Sequence, residues 1–420
     1  MTEGAFIQEK IRIDDLAHPV LSPLQQEVLA HAKANPVVFD ETMMLDAARK
    51  QAGLNDFGAD DFRPRFRAWI KAAEEDVELS AVGRAGVWSE MVRFAVSRLY
   101  AEDLIRRNPE ILETEIETPV IVAGLPRSGT TYLLQLLAAD RKVRSLPYWE
   151  AIRPVAEPFI KDGMDIRHAL AAEQWVQQDA LMPYVKNIHE FTPDHISEDV
   201  ELQGMDFGSY YLEWMAKADS WRDYYFAHDH TPVYRYMRKM FQLLSWQRGP
   251  NRWVTKCPQH MEQLISVTTA LPGSTMVINH RDPVASIQSA ITGVAYGARL
   301  TRTRVNLKGI ADYWVDRYER LLRACVRDRT ALDEAKSVDV YFHELMADPM
   351  AILETIYSKS GMPFDTEARA DFTAAIEANK RGKHGQLVYD LRADFGLDPD
   401  KLRERFGFYF DRFPVKVEIR

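Results

Sequence analysis

The chain is expected to fold as an α/β protein, a mostly parallel sheet flanked by helices. A helical extension over residues 1–115 precedes the sheet, and a helical insertion spans about 150–250. Three observations predict this. Four short apolar runs rich in β-branched residues are separated by segments of helical character, the alternation that builds a parallel sheet covered on both faces. The first run leads straight into a glycine-bearing loop and a second helical segment. Everything before that run carries helix signals only.

Taken in order, Pro23 to Ala30 opens the first helix, with Ser22 as N-cap and proline in the first turn. Trp88 to Arg107 places apolar residues every three or four positions, an amphipathic helix ended by Asn108-Pro109. Pro119 to Ala123 is the first strand, a continuous apolar run of the kind buried on both faces. Between 150 and 250 lie Trp175, Phe207, Tyr210, Tyr211, Trp214, Trp221, Tyr225, Tyr234 and Phe241, read as helices inserted between two strands. Strand character returns at Arg252 to Lys256, Thr275 to His280 and Val338 to Phe342. No internal repeat or low-complexity tract is visible.

Composition narrows the functions. At 420 residues and 48.3 kDa the chain suits two or three units of ~150 residues, or one α/β core with large insertions. Hydrophobic residues at 46% and charged residues at 27% exclude a disordered, collagenous or coiled-coil chain. Lys and Arg number 53 against 62 Asp and Glu, a net charge of −9, which argues against general nucleic-acid binding but leaves room for one small basic pocket. Two cysteines, Cys257 and Cys325, are too few for a disulfide framework or a thiolate zinc site and suit a reducing compartment. The N-terminus lacks a basic region followed by an apolar run, and no uncharged apolar stretch reaches 18 residues, so a cytoplasmic enzyme without a membrane span is expected.

The chemistry centres on Gly124-Leu125-Pro126-Arg127-Ser128-Gly129-Thr130-Thr131. A glycine-rich loop between a buried strand and a helix cradles phosphate, because its N–H groups turn inward and the helix N-terminus adds unsatisfied donors. The usual nucleoside-triphosphate loop reads G-x4-G-K-[ST]. Here Thr130 replaces the lysine and the cation has moved forward to Arg127, which disfavours γ-phosphoryl transfer.

Pro126 to Thr131, after VIVAGL, resembles the 5′-phosphosulfate loop of sulfotransferases that use 3′-phosphoadenosine 5′-phosphosulfate (PAPS) and release 3′-phosphoadenosine 5′-phosphate (PAP). The PRSGTT form is similar to that of the bacterial branch and of tyrosylprotein sulfotransferases. A second motif supports the resemblance. In the family, an arginine at a strand end and a serine eight residues later grip the 3′-phosphate, and Arg281 and Ser289 have that spacing. The resemblance covers about residues 116 to 415. It makes 116–420 the sulfotransferase domain, with a P-loop-like sheet and the 150–250 insertion at the acceptor site.

Further roles follow from the resemblance. Trp253 to His260 resembles a V-x-K-S-P-x-H segment, with Cys257 where serine is usual, so Lys256 is a candidate to reach the sulfuryl or bridging oxygen. Glu150, 23 residues after Arg127, is the first choice for the base that takes the acceptor's proton; its alternative is a structural ion pair. His189 and His195 are rivals, in a stretch that also holds Glu198 and Asp199, and His260 is a further candidate. Arg381, Gly382 and Lys383 resemble an Arg-Lys-Gly that touches the 3′-phosphate in relatives. Phe342 stands where many relatives have tyrosine, so that contact is not carried over.

The resulting expectation is in-line sulfuryl transfer from PAPS to a hydroxyl of a small-molecule acceptor, with no metal required. The alternatives are an ATP-dependent small-molecule kinase with an altered loop, or a non-catalytic nucleotide-binding protein. Acceptor identity and oligomeric state, including a homo-oligomer, stay open.

Overall fold

The structure, a computed structural model, describes residues 10–379 and 386–418. Four strands form a wholly parallel sheet: β1 (Glu117–Gly124), β2 (Arg252–Lys256), β3 (Thr275–His280) and β4 (Ser337–Tyr341), in the order β2-β1-β3-β4. The expected α/β architecture is therefore present. β1 extends beyond the apolar run at both ends, and its register with β2 shifts between Glu117 and Val120, where Pro119 has no N–H to give. β4 ends at Tyr341 because Phe342 opens a short helix.

The sheet buries both faces, as continuous β-branched strands require. Val120, Val122, Val254, Val277 and Val340 point to one side. There they pack under α3 (Thr130–Leu137), the helix after the glycine loop, and the helix Pro349–Ser360. Ile121, Ala123, Trp253, Met276 and Ile278 point to the other side, into a larger core.

That larger core joins the N-terminal helices to the insertion. α1 (Pro23–Ala34) carries the expected capping box at Ser22 and Gln25. α2 starts two turns earlier than its periodicity suggested, at Ala81 with Ser80 as cap, and runs to Arg107. It is buried on more than one side rather than amphipathic, with Val87, Met91, Phe94, Leu99 and Ile105 all inside. Trp69 meets Phe207 and Trp221 edge to face at 5.6 and 5.7 Å. Position 115 is thus no break in packing: the extension and the insertion share one hydrophobic core.

Among the described residues, no helix is long and apolar enough to cross a membrane.

Candidate functional site

Parallel register aligns the strand ends. Gly124 lies opposite Asn279, Val122 opposite Lys256 and His280 opposite Tyr341, so the chain leaves all four strands along one edge. Ligands of open α/β sheets bind at that edge. A cavity of about 1280 Å³ opens there, lined by Pro126, Arg127, Gly129, Thr130, Thr131, Lys256, Arg281, Ser289 and Phe342.

The glycine loop is built so that carbonyls do not face this cavity unopposed. The Leu125 carbonyl accepts from Ser128 N–H at 3.1 Å and from Ser128 Oγ at 2.7 Å. The Pro126 carbonyl accepts from the Tyr318 hydroxyl at 3.1 Å, that of Arg127 from Arg281 Nη1 at 2.6 Å, and that of Ser128 from Asn279 Nδ2 at 2.5 Å. The Gly129 carbonyl accepts from Leu133 N–H in α3. Five consecutive carbonyls are therefore taken up by protein donors. The N–H groups of the first turn of α3 have no earlier helical carbonyl to meet, which suits an anion. Gly129 caps α3 at φ +92°, and a Cβ there would sit 2.7 Å from the Phe342 ring. A Cβ at Gly124 would meet Thr130 Cγ2 at 2.7 Å and the Asn279 carbonyl oxygen at 2.8 Å. Arg127 adopts φ +68°, an unfavourable backbone for an arginine, which the bonded carbonyls on either side of it hold in place.

Arg127, Arg281 and Lys256 line the cavity at the strand ends. Arg127 Nε donates to Ser289 Oγ at 2.9 Å, and its Nη1 donates to the Ile188 carbonyl. Arg281 lies 4.0 Å over the Phe342 ring and forks onto Glu418 at 2.8 and 2.7 Å. Lys256 Nζ pairs with Glu198 and reaches Thr131 Oγ1 at 3.3 Å. The two expected anion clamps therefore share one cavity wall and touch, because the Arg127 side chain reaches Ser289. Ser128 does not face the cavity. It is fully buried and its hydroxyl closes the loop. Arg281 does not pair with Asp282, which instead caps the helix Pro283–Thr301. Arg381, Gly382 and Lys383 lie outside the described residues.

The base candidates separate by position. Glu150 is corrected: it is fully buried, does not line the cavity, and is held by Arg144 at 2.7 Å and Arg248 at 3.1 and 3.0 Å. The reason is local, since the one-turn helix Tyr148–Ala151 turns Glu150 inward onto Arg144. His260 is likewise internal, bonded to Asp199 at 2.8 Å and to the Tyr234 hydroxyl at 3.0 Å, while Asp199 also accepts from Thr255 and Gln203. That network ties the β2 end to the insertion and leaves Asp199 no role at the cavity.

His189 and Glu198 do line the cavity. His195 lies behind His189, ring centroids 5.1 Å apart, buried with both ring nitrogens unpartnered. Burial pushes the His195 imidazole down to about 4, with Lys256 adding to the effect. His189 is held well below its ordinary value, by burial first and then by His195, Lys256 and Arg127. Both imidazoles are therefore neutral at pH 7, and His189 can accept a proton.

The aromatic insertion divides. Phe207, Trp221, Tyr225, Tyr234 and Phe241 are core, whereas Tyr210, Tyr211 and Trp214 face the cavity opposite the loop, joined by Trp314 at 4.1 Å from Trp214. Cys257 is buried, which pushes its thiol up and makes it inert. Three contacts escaped sequence analysis: Asn279, Tyr389 on Ser289 at 3.0 Å, and Glu418 on Arg281. A polar Asn279 at the end of an apolar strand was a readable signal; the other two are carried by long-range folding.

Similarity to known proteins agrees with this geometry. No curated protein matches the chain. The solved sulfotransferase STF1 of Mycobacterium tuberculosis superimposes with a TM-score of 0.77 at 27% identity, covering 88% of this chain and 98% of its own. STF9 of Mycobacterium avium shares the fold, with a TM-score of 0.80 at 22% identity over 91% of this chain and 99% of its own. Residues 119–366, more than half of the chain, match the sulfotransferase family and contain the glycine loop, Lys256, Arg281 and Ser289. The chain accordingly belongs to the sulfotransferase family.

Proposed function

We propose that this sulfotransferase takes its sulfuryl group from PAPS and passes it to a hydroxyl of a small-molecule acceptor in the cytoplasm. The observation that carries the reading is the glycine loop whose five carbonyls are all engaged, beside Arg127, Lys256 and Arg281 on one wall. Such a wall offers donors and positive charge with no loop carbonyl left to compete for an anion; its acceptors are the carboxylates paired with Lys256 and Arg281. The two glycines that a Cβ would jam are the sites where a phosphate needs close backbone approach.

PAPS supplies an activated sulfuryl group on a phosphate leaving group. Gly129, Thr130 and Thr131 at the start of α3 would hold the 5′ end, and Arg281 with Ser289 the 3′-phosphate. Arg127 and Lys256 stabilise charge at the bridging oxygen by preorganised electrostatics. His189 accepts the acceptor's proton at an imidazole nitrogen. Anionic charge at Lys256 and Arg127 relieves two of the influences that depress His189, so its basicity rises when the donor side is filled. Tyr210, Tyr211, Trp214 and Trp314 form an apolar wall that packs the acceptor and excludes water.

The test is transfer from sulfur-labelled PAPS to a panel of alcohols and phenols in the presence of chelator. Full turnover is expected, whereas the kinase alternative requires Mg²⁺ and ATP. Arg127→Ala should lower turnover by about 10²–10³-fold, the effect of losing one good oxyanion donor. Turnover within tenfold of wild type removes Arg127 from the mechanism. A non-catalytic binding protein would show no transfer to any acceptor.

A further inference from the structure

The C-terminal segment reaches both groups expected to hold the 3′-phosphate. Arg281 uses its Nε and Nη2 edge, the fork that best fits a phosphate, on the carboxylate of Glu418. Its Nη1 is committed to the Arg127 carbonyl and one guanidinium face is covered by Phe342. Ser289 donates its hydroxyl hydrogen to Tyr389.

The segment is anchored independently of these contacts. Phe413 is buried against His280 at 4.1 Å, and the Glu418 N–H donates to Asp282 Oδ2 at 2.9 Å. Asp282 is fully buried, and its other oxygen caps the following helix through Val284 N–H. The Phe413 ring and the Glu418 N–H therefore set where the tail lies, while the Glu418 side chain, 29% exposed, can rotate from Arg281 into water. A carboxylate and a phosphate dianion cannot share one guanidinium fork without strong repulsion.

We infer that Glu418 is a built-in competitor for Arg281, displaced when the donor's 3′-phosphate binds and returning as PAP leaves. This rests on the reading of Arg281 as a 3′-phosphate ligand. Glu418 then sets how tightly 3′-phosphorylated nucleotides are held, and leaves nucleotides without that phosphate unaffected.

The experiment is calorimetric titration of the full chain with PAP and with AMP, comparing wild type, Glu418→Gln and Glu418→Ala. Both variants should bind PAP about fivefold more tightly, the gain if the tail leaves Arg281 open in about one molecule in five. AMP affinity should change less than about twofold, because AMP lacks the competing group. Unchanged or weaker PAP binding in both variants overturns the inference; weaker binding would make Glu418 a group that positions Arg281 instead. Equal wild-type affinity for PAP and AMP overturns the Arg281 assignment itself, and the inference with it.

Discussion

Replacing Glu150 by Gln separates a buried ion pair from a catalytic base. The side chains of Arg144 and Glu150 are each 1% exposed and meet at 2.7 Å, whereas Arg248, on the same carboxylate, is 44% exposed. The Arg248 contacts are screened by solvent and contribute about 0.2–1 kcal/mol. The Arg144 contact is different. Burial already pulls the Arg144 guanidinium below its ordinary value, and Glu150 is the main group opposing that. Glu150→Gln leaves a buried cation without its counter-ion, at a cost of about 3–5 kcal/mol. Arg248→Ala should cost no more than about 1 kcal/mol. Urea denaturation followed by tryptophan fluorescence reads both, and sulfuryl transfer measured where the variant is still folded reads catalysis. Turnover of folded Glu150→Gln is expected within about threefold of wild type, since removal of a true base costs about 10²–10⁴-fold. A stable variant with turnover down a hundredfold would refute this assignment and restore Glu150 as the base.

Three further predictions concern the cavity itself. His195 is depressed to about 4 and His189 lies well below its ordinary value, so the unfolded chain binds more protons than the native one between about pH 4 and 6.5. Stability should therefore fall as pH drops through that window. The profile of kcat/KM for PAPS, which reports the unliganded enzyme, should show no inflection from pH 6.5 to 8, and an inflection near 7 that disappears in His189→Ala would contradict the neutral imidazole. Gly129→Ala places a side chain at φ +92° and 2.7 Å from the Phe342 ring. PAP binding should weaken at least tenfold, about 1.4 kcal/mol, by calorimetry. Phe342→Ala in the same chain should restore only the steric part, and wild-type affinity in Gly129→Ala alone would show that the loop tolerates another shape.

Much of the site was legible because its residues are local. The strand, loop and helix from Val120 to Leu137 lie in one unbroken stretch, so composition, glycine placement and the hydroxyls at Thr130 and Thr131 could be read together. Lys256 and Arg281 were legible for the same reason, since each follows directly on a buried strand. Glu150 was misread because chain distance from Arg127 says nothing of direction, and a one-turn helix aims it at Arg144. The N-terminal helices were legible as helices but not as part of the main core, because the partners of Trp69, Phe207 and Trp221, are more than a hundred residues away.

By itself, the sequence determined the parallel sheet, the glycine loop between strand and helix, and the sulfotransferase family, because these depend on short-range patterns of burial, glycine and charge. Only the tertiary structure decided which side chains share the cavity. His189 rather than His260 at the cavity, Arg127 against Ser289, and Glu418 on Arg281 all come from contacts between distant segments. Those contacts are set by how helices pack over the strand ends, and no local pattern encodes that.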